Sequence, residues 1–202
     1  MRLQLPLHHH RQLKSMHCGN GRSLRTHDRR SATNLSAFET CNTTVGSLTQ
    51  ILREADDQAK ESAWDRWLRR YLQRRVQATP VPLDSEESGA MCEWALIVQS
   101  HYAEIVELFL TGPAPEARGN MFYYRLHEAA VLDRAPVLTA RFLTALLSQE
   151  DGHNLWDLDQ VHTMVSQLID LDPTEPALRP LCEQLGRLGS PRALEFQNRL
   201  RP

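Results

Sequence analysis

An all-α fold is predicted by three features of the sequence. Apolar residues recur every three or four positions through most long segments, clusters of proline and glycine fall between those segments, and no stretch alternates β-branched with polar residues at period two. Short links between successive segments imply antiparallel neighbours, as in an irregular bundle or a short stack of helical hairpins. A chain of 202 residues is long enough to bury a real core.

The first helix is expected from Leu48 to about Val76, on the apolar series Leu48, Ile51, Leu52, Ala55, Ala59, Ala63, Trp64, Trp67, Leu68, Tyr71 and Leu72, with a possible break near Lys60. Pro80 and Pro82 stop it, because proline lacks an amide hydrogen and pushes its predecessor toward extended geometry. Asp84 or Ser85 caps the next helix, with Glu86 and Glu87 in the first turn where the macrodipole favours them. Its apolar residues, from Met91 through Trp94 to Phe109, cover most of the cylinder, which predicts a central helix running to the stop at Thr111-Gly112-Pro113.

A turn-rich loop, "GPAPEARGN", precedes a third helix, "MFYYRLHEAAVL", and Pro136 opens a fourth. Beyond Gly152, Leu158, Val161, Val165, Leu168 and Ile169 line one side of a further helix. Thr174 caps the next, with Pro176 in its first turn and Gly189 as its stop, and Ser190 with Pro191 starts the last.

Charge is unevenly spread. Residues 1–45 hold seven Lys/Arg and two Asp/Glu, so this stretch is +5 and the rest of the chain is −7. With one aromatic and no sustained apolar period, residues 1–45 cannot offset their ordering entropy and read as a basic, disordered arm or as an extension outside the natural domain. Residues 46–202 read as the all-helical domain. A secretory signal is excluded because "LQLPL" ends at His8, and a mitochondrial presequence is disfavoured by Pro6, Gly19 and Gly21. No run of about 18 apolar residues occurs, so no membrane partner is expected. Cys92 and Cys182 fall on apolar helical faces and read as reduced and buried, which points to the cytoplasm.

The stretch "AWDRWLRRYLQRR" places Trp64 and Trp67 among five arginines. At about 100° per residue, Trp64, Trp67, Leu68, Tyr71 and Leu72 share one arc, and Arg66, Arg69, Arg70 and Arg74 the opposite one. Arg75 alone falls on the apolar arc, where it needs a carboxylate. Arginine exceeds lysine 21 to 2 along the whole chain, so arginine richness in one place carries little weight by itself.

Catalytic and metal patterns fail on spacing. His127-Glu128 opens an HExxH pattern whose second histidine would stand where Val131 is. His8 to His10, His17, Cys18 and His27 lack the paired spacing of a structural zinc site. No glycine-rich phosphate loop or GxSxG is present, and Glu86/Glu87 and Asp56/Asp57 are explained by helix starts and solvated faces. No cofactor, metal or catalytic residue is therefore expected.

The order of landmarks from 64 to 110, "RWLRRYLQRR", "TPVPL", then "SEESGAMCEWALIVQSHYAEIVELFL", resembles an uncharacterised helical C-terminal domain appended to some large bacterial proteins, including sirtuin-like ones linked to antiphage defence. Trp64, Trp67, Pro82, Glu86 and Trp94 carry the likeness, which covers residues 60–202. It implies an accessory role, with any catalytic domain upstream in a longer chain. Residues 1–45 show no such domain, so a truncated or stand-alone copy is implied. The expected function is that of a non-enzymatic interaction domain with a protein partner. The alternative is a nucleic-acid-binding protein using the basic arm with Arg66, Arg69, Arg70 and Arg74.

Overall fold

Helices make up every regular element of the described residues in the computed structural model, which are 45–77, 85–112, 116, 120–150 and 158–201. The arm of residues 1–44, with its histidines, Cys18 and Cys41, lies outside them, as do Pro80 and Pro82. Val45, placed by the sequence at the end of the arm, is already helical and only 3% exposed.

Helix α1 covers residues 45–54 and α2 runs Asp57–Ala63. The break expected near Lys60 lies at 55–56 instead, because the Asp56 carboxylate accepts the Ala59 amide at 2.8 Å and so begins a new helix. A π-helical turn, Trp64–Leu68, follows without interruption and leads into α3, Arg69–Gln77. In that turn the Arg69 amide reaches back to Trp64 O, one residue further than an α-helix would. Trp64, Leu68, Leu72 and Val76 are all buried. A strict four-residue spacing drifts about 40° per step on an α-helix, and the wider π turn absorbs part of that drift.

The single central helix expected from Ser85 onward is two. Helix α4 spans Ser85–Ile97, Val98 leaves helical geometry at φ −103° and ψ 63°, a 3-10 turn covers Gln99–His101, and α5 runs Tyr102–Thr111. Every residue from Met91 to Leu96 is buried, whereas α5 buries one face through Tyr102, Ile105, Val106 and Phe109. The change of direction lets one stretch of chain serve both environments.

Helix α6 covers Asn120–Glu128, α7 Val131–Arg134 and α8 Pro136–Gln149, with proline in the first turn as expected. Between α6 and α7, Ala130 holds a left-handed backbone, φ 51° and ψ 30°, a conformation that disfavours a side chain. Helix α9 spans Asp159–Leu171, α10 Leu178–Arg187 and α11 Ala193–Arg199. Helix α10 starts later than the Thr174 cap implied: the Thr174 amide and hydroxyl both donate to Asp172 Oδ1, and Glu175 Oε1 accepts the Ala177 amide instead. Gly189 ends that helix at φ 76°, as its position predicted. Ser190 accepts the Arg192 amide at 3.3 Å and lies 2.8 Å from buried His162.

Helix α5 packs on α3 and on α8, α8 packs on α10, and α10 packs on α11, while α9 meets α6 and α11. Phe142 of α8 sits at the centre, stacked on Phe109 at 5.9 Å and edge-on to Phe122 and Tyr102. Arg187 closes the end of α8 by donating to Leu147 O and Glu150 O at 2.5 and 3.0 Å. Cys92 and Cys182 are free and buried, and burial pushes the Cys182 thiol up to about 11 and the Cys92 thiol further. Among the described residues no helix is long and apolar enough to cross a membrane.

The end of α5 touches the end of α3 through Gly112: a Cβ there would overlap Val76 Cγ1 and stand 3.2 Å from Val76 O. Valine is stiff at χ1, so the contact cannot relax cheaply. Gly112→Ala is expected to lower unfolding free energy by about 1–3 kcal/mol in urea titrations; an unchanged midpoint would refute this close approach.

Candidate functional site

The most chemically loaded region is the α2–α3 stretch and what faces it. Its aromatic side is structural. Trp64 and Trp94 are each 1% exposed, and half-buried Trp67 and Tyr71 pack edge-on to Trp94 at 6.2 and 5.7 Å. The Trp94 indole donates to Thr49 Oγ1 at 2.9 Å, and that hydroxyl donates to Val45 O at 2.9 Å. One indole therefore joins α1, α3 and α4.

The arginines on this stretch divide into two groups. Arg66, Arg70 and Arg74 are exposed and make no hydrogen bond or ion pair with any described residue. Arg69, expected with them on the free face, instead donates from Nε to Glu104 Oε1 at 2.6 Å. Arg75, which the sequence left needing a carboxylate, finds Glu87 of α4: Nε donates to Oε1 at 2.6 Å and Nη2 to Oε2 at 2.5 Å. The Tyr71 hydroxyl donates to the same Oε1 at 2.5 Å. Glu87 is only 2% exposed, so these donors replace the water its carboxylate would otherwise bind, and its hydrogen bond holds the Arg75 guanidinium above its ordinary value. Glu86, its neighbour in the first turn, is exposed, so the two adjacent carboxylates have different environments.

Two irregular turns meet beside this stretch. The Trp64 indole of the π turn stacks on His101 of the 3-10 turn at 4.7 Å and 16° between planes. His101 Nε2 lies 2.7 Å from Glu61 Oε2, its Nδ1 lies 3.9 Å from Glu104, and the Ser100 hydroxyl donates to the other Glu61 oxygen. The hydroxyl thus bonds the carboxylate and not the imidazole, which is a different arrangement from a nucleophile poised on its base. Bonds from Ser100 and His101 hold the Glu61 carboxyl below the usual glutamate value.

A cleft of about 520 Å³ opens alongside, with Arg53, Lys60 and Arg134 facing Asp57 and Glu61. These cations lie at the end of α4, whose last carbonyls carry the negative end of the helix dipole. Arg53 also joins Arg125 on Glu93, which is 8% exposed. The sequence reading missed Glu93 and the Glu61–Ser100–His101 set, because their partners lie about 30 to 40 residues away and no local spacing announces them. Among the described residues no group of three or more His, Cys, Asp or Glu is placed to hold a metal ion. Val131 is buried, and His127 lines a different cleft.

Removing Arg75 leaves a buried charge without its main partner, so Arg75→Ala should cost about 3–5 kcal/mol in chemical denaturation. An Arg75→Met/Glu87→Leu double variant should regain most of it, since the charge leaves with its partner. For Glu61, a carboxyl held down in the folded state stabilises it above the unfolded pKa and loses that contribution as pH falls through the folded one. NMR titration should place the Glu61 midpoint below that of ordinary glutamate, and Ser100→Ala or His101→Gln should raise it. Comparison with protein-family models, curated proteins and solved structures finds no match for this chain.

Proposed function

We propose that this chain is a non-catalytic helical interaction domain, an accessory unit of a bacterial cytoplasmic assembly in the antiphage-defence setting that its sequence resemblance implies. It docks an acidic segment of a partner protein on Arg66, Arg70 and Arg74. The observation that supports this reading is the set of three exposed guanidinium groups, one helical turn apart, that no described residue engages. They form a column about 12 Å long.

Guanidinium is planar, always charged and suited to bidentate contact with carboxylate, and here it stands on a helix whose opposite side is locked into the core by Trp64, Leu68, Leu72 and Val76. Such a column suits carboxylates repeated at similar intervals on a partner.

The test compares the full chain with a R66E/R70E/R74E variant, in binding to a labelled Glu-rich peptide and in co-purification from the native host with and without nuclease. Three exposed ion pairs at about 0.2–1 kcal/mol each amount to about 0.6–3 kcal/mol, which predicts peptide binding weaker by roughly 3- to 150-fold in the variant. A nuclease-resistant partner protein lost in the variant supports the proposal. Recovery abolished by nuclease, with steeply salt-dependent binding to duplex DNA, would replace the acidic protein with nucleic acid.

A further inference from the structure

Two clefts on α7, α8 and α9 meet at a leucine that the core does not use. One, of about 410 Å³, is lined by Leu132, Asp133, Asp170 and Leu171, together with the left-handed Ala130. The other, of about 280 Å³, runs past Val137 and Leu168 to Leu178, with Leu171 shared and Asp172 and Glu175 at its edge. Leu171 is 56% exposed and Val137 42%, although Leu132, Ala140, Leu168 and Leu178 beneath them are buried. The surface is thus an apolar trough with two protruding hydrophobic side chains.

Its rim is acidic. Asp133 is exposed and engages no described residue. Asp170 pairs with Arg199 at 2.5 Å but keeps 70% of its side chain exposed. Asp172 accepts both bonds from Thr174, and Glu175 accepts the Ala177 amide, so both remain acceptors fixed at the trough's edge. Among the residues that line the two clefts, four are carboxylates and His127 is the one other titratable side chain, while Arg199 pairs with Asp170 without lining either cleft.

We infer that this trough docks a second protein segment of opposite character: apolar anchors seated against Leu171 and Val137, flanked by lysine or arginine that pair with Asp133, Asp170, Asp172 and Glu175. The sign of the rim selects the occupant. Four carboxylates repel phosphate and anionic lipid headgroups, which removes nucleic acid and most membrane surfaces, whereas buried apolar contact with a charged rim is how short amphipathic segments are held. The arginine column of a second copy would match the charge, but supplies no exposed bulky anchor among its three arginines. This surface lies on different helices from that column, takes a partner of the opposite charge, and stands whether or not the acidic-partner reading does.

The test titrates the full chain with three labelled synthetic peptides of 14 residues and follows fluorescence anisotropy. One is an amphipathic Leu/Ala/Lys/Arg peptide, the second replaces its Lys and Arg by Glu, and the third replaces its Leu by Ser. Saturable binding of the first alone is expected, at least about tenfold weaker in an Asp133→Lys/Leu171→Ser variant and unchanged in R66E/R70E/R74E. Both variants alter exposed side chains, and circular dichroism is the check that each remains folded. Methyl NMR of the first complex should shift Leu171 and Val137. Absence of saturable binding, equal binding of the Glu peptide, or affinity unchanged by the variant would overturn the proposal. So would concentration-dependent self-association of the unliganded chain that Leu171→Ser abolishes, because the trough would then belong to a second copy.

Discussion

The indole of Trp94 must be buried and its one N–H must be satisfied, and much of the first half of the domain is arranged around that pair of demands. A Trp core position without an acceptor would leave a donor stranded in apolar surroundings at a cost of about 1–3 kcal/mol. Thr49 supplies the acceptor, which brings α1 onto α4, and Trp67 and Tyr71 supply the edge-on faces, which bring α3 there as well. Tyr71 then spends its hydroxyl on Glu87, the carboxylate that Arg75 requires. Hydrophobic burial and the one deeply buried ion pair on α3 are consequences of the same packing decision.

The second half rests on a different logic. Phe142 gathers aromatic rings from α5 and α6, and α8, α9 and α10 complete the core with leucine, isoleucine and valine side chains that need no polar satisfaction. Its buried polar groups are few and paired, Thr139 with the Tyr102 hydroxyl at 3.0 Å and His162 with Ser190 at 2.8 Å, while Arg187 satisfies the carbonyls that end α8. Both halves match their buried donors and acceptors, but the second draws more of its core from aliphatic and aromatic packing.

Helical periodicity was enough to read the class of the fold, the proline start of α8, the glycine stop after α10 and the burial of Trp64 and Trp94, since each is dictated within a few residues. It was enough, too, to see that Arg75 stood on the wrong arc and needed a carboxylate. The exact breaks were less legible. Asp56 looked like a surface acid and is a cap, and Val98 sits in an apolar run that periodicity reads as unbroken helix. Arg69 was grouped with Arg66, Arg70 and Arg74 because angle alone cannot show that α5 brings Glu104 alongside. The acidic trough went unseen for a related reason: Asp170, Asp172 and Glu175 follow one another at and just beyond the end of α9, but only tertiary packing brings Asp133 of α7 and the apolar floor beside them.

The π turn at Trp64–Leu68 ties the outside of its helix to the inside. Arg66 lies within the turn and Arg70 and Arg74 just beyond it, so a slip of one hydrogen-bond register there would swing the downstream pair about 100° away from Arg66. The same slip would carry Leu72 and Val76 out of the core, and the Tyr71–Glu87–Arg75 contacts with them. The alignment of the exposed guanidinium groups is thus inherited from the packing underneath, and a ligand meeting that face meets a surface whose pattern is already set before contact.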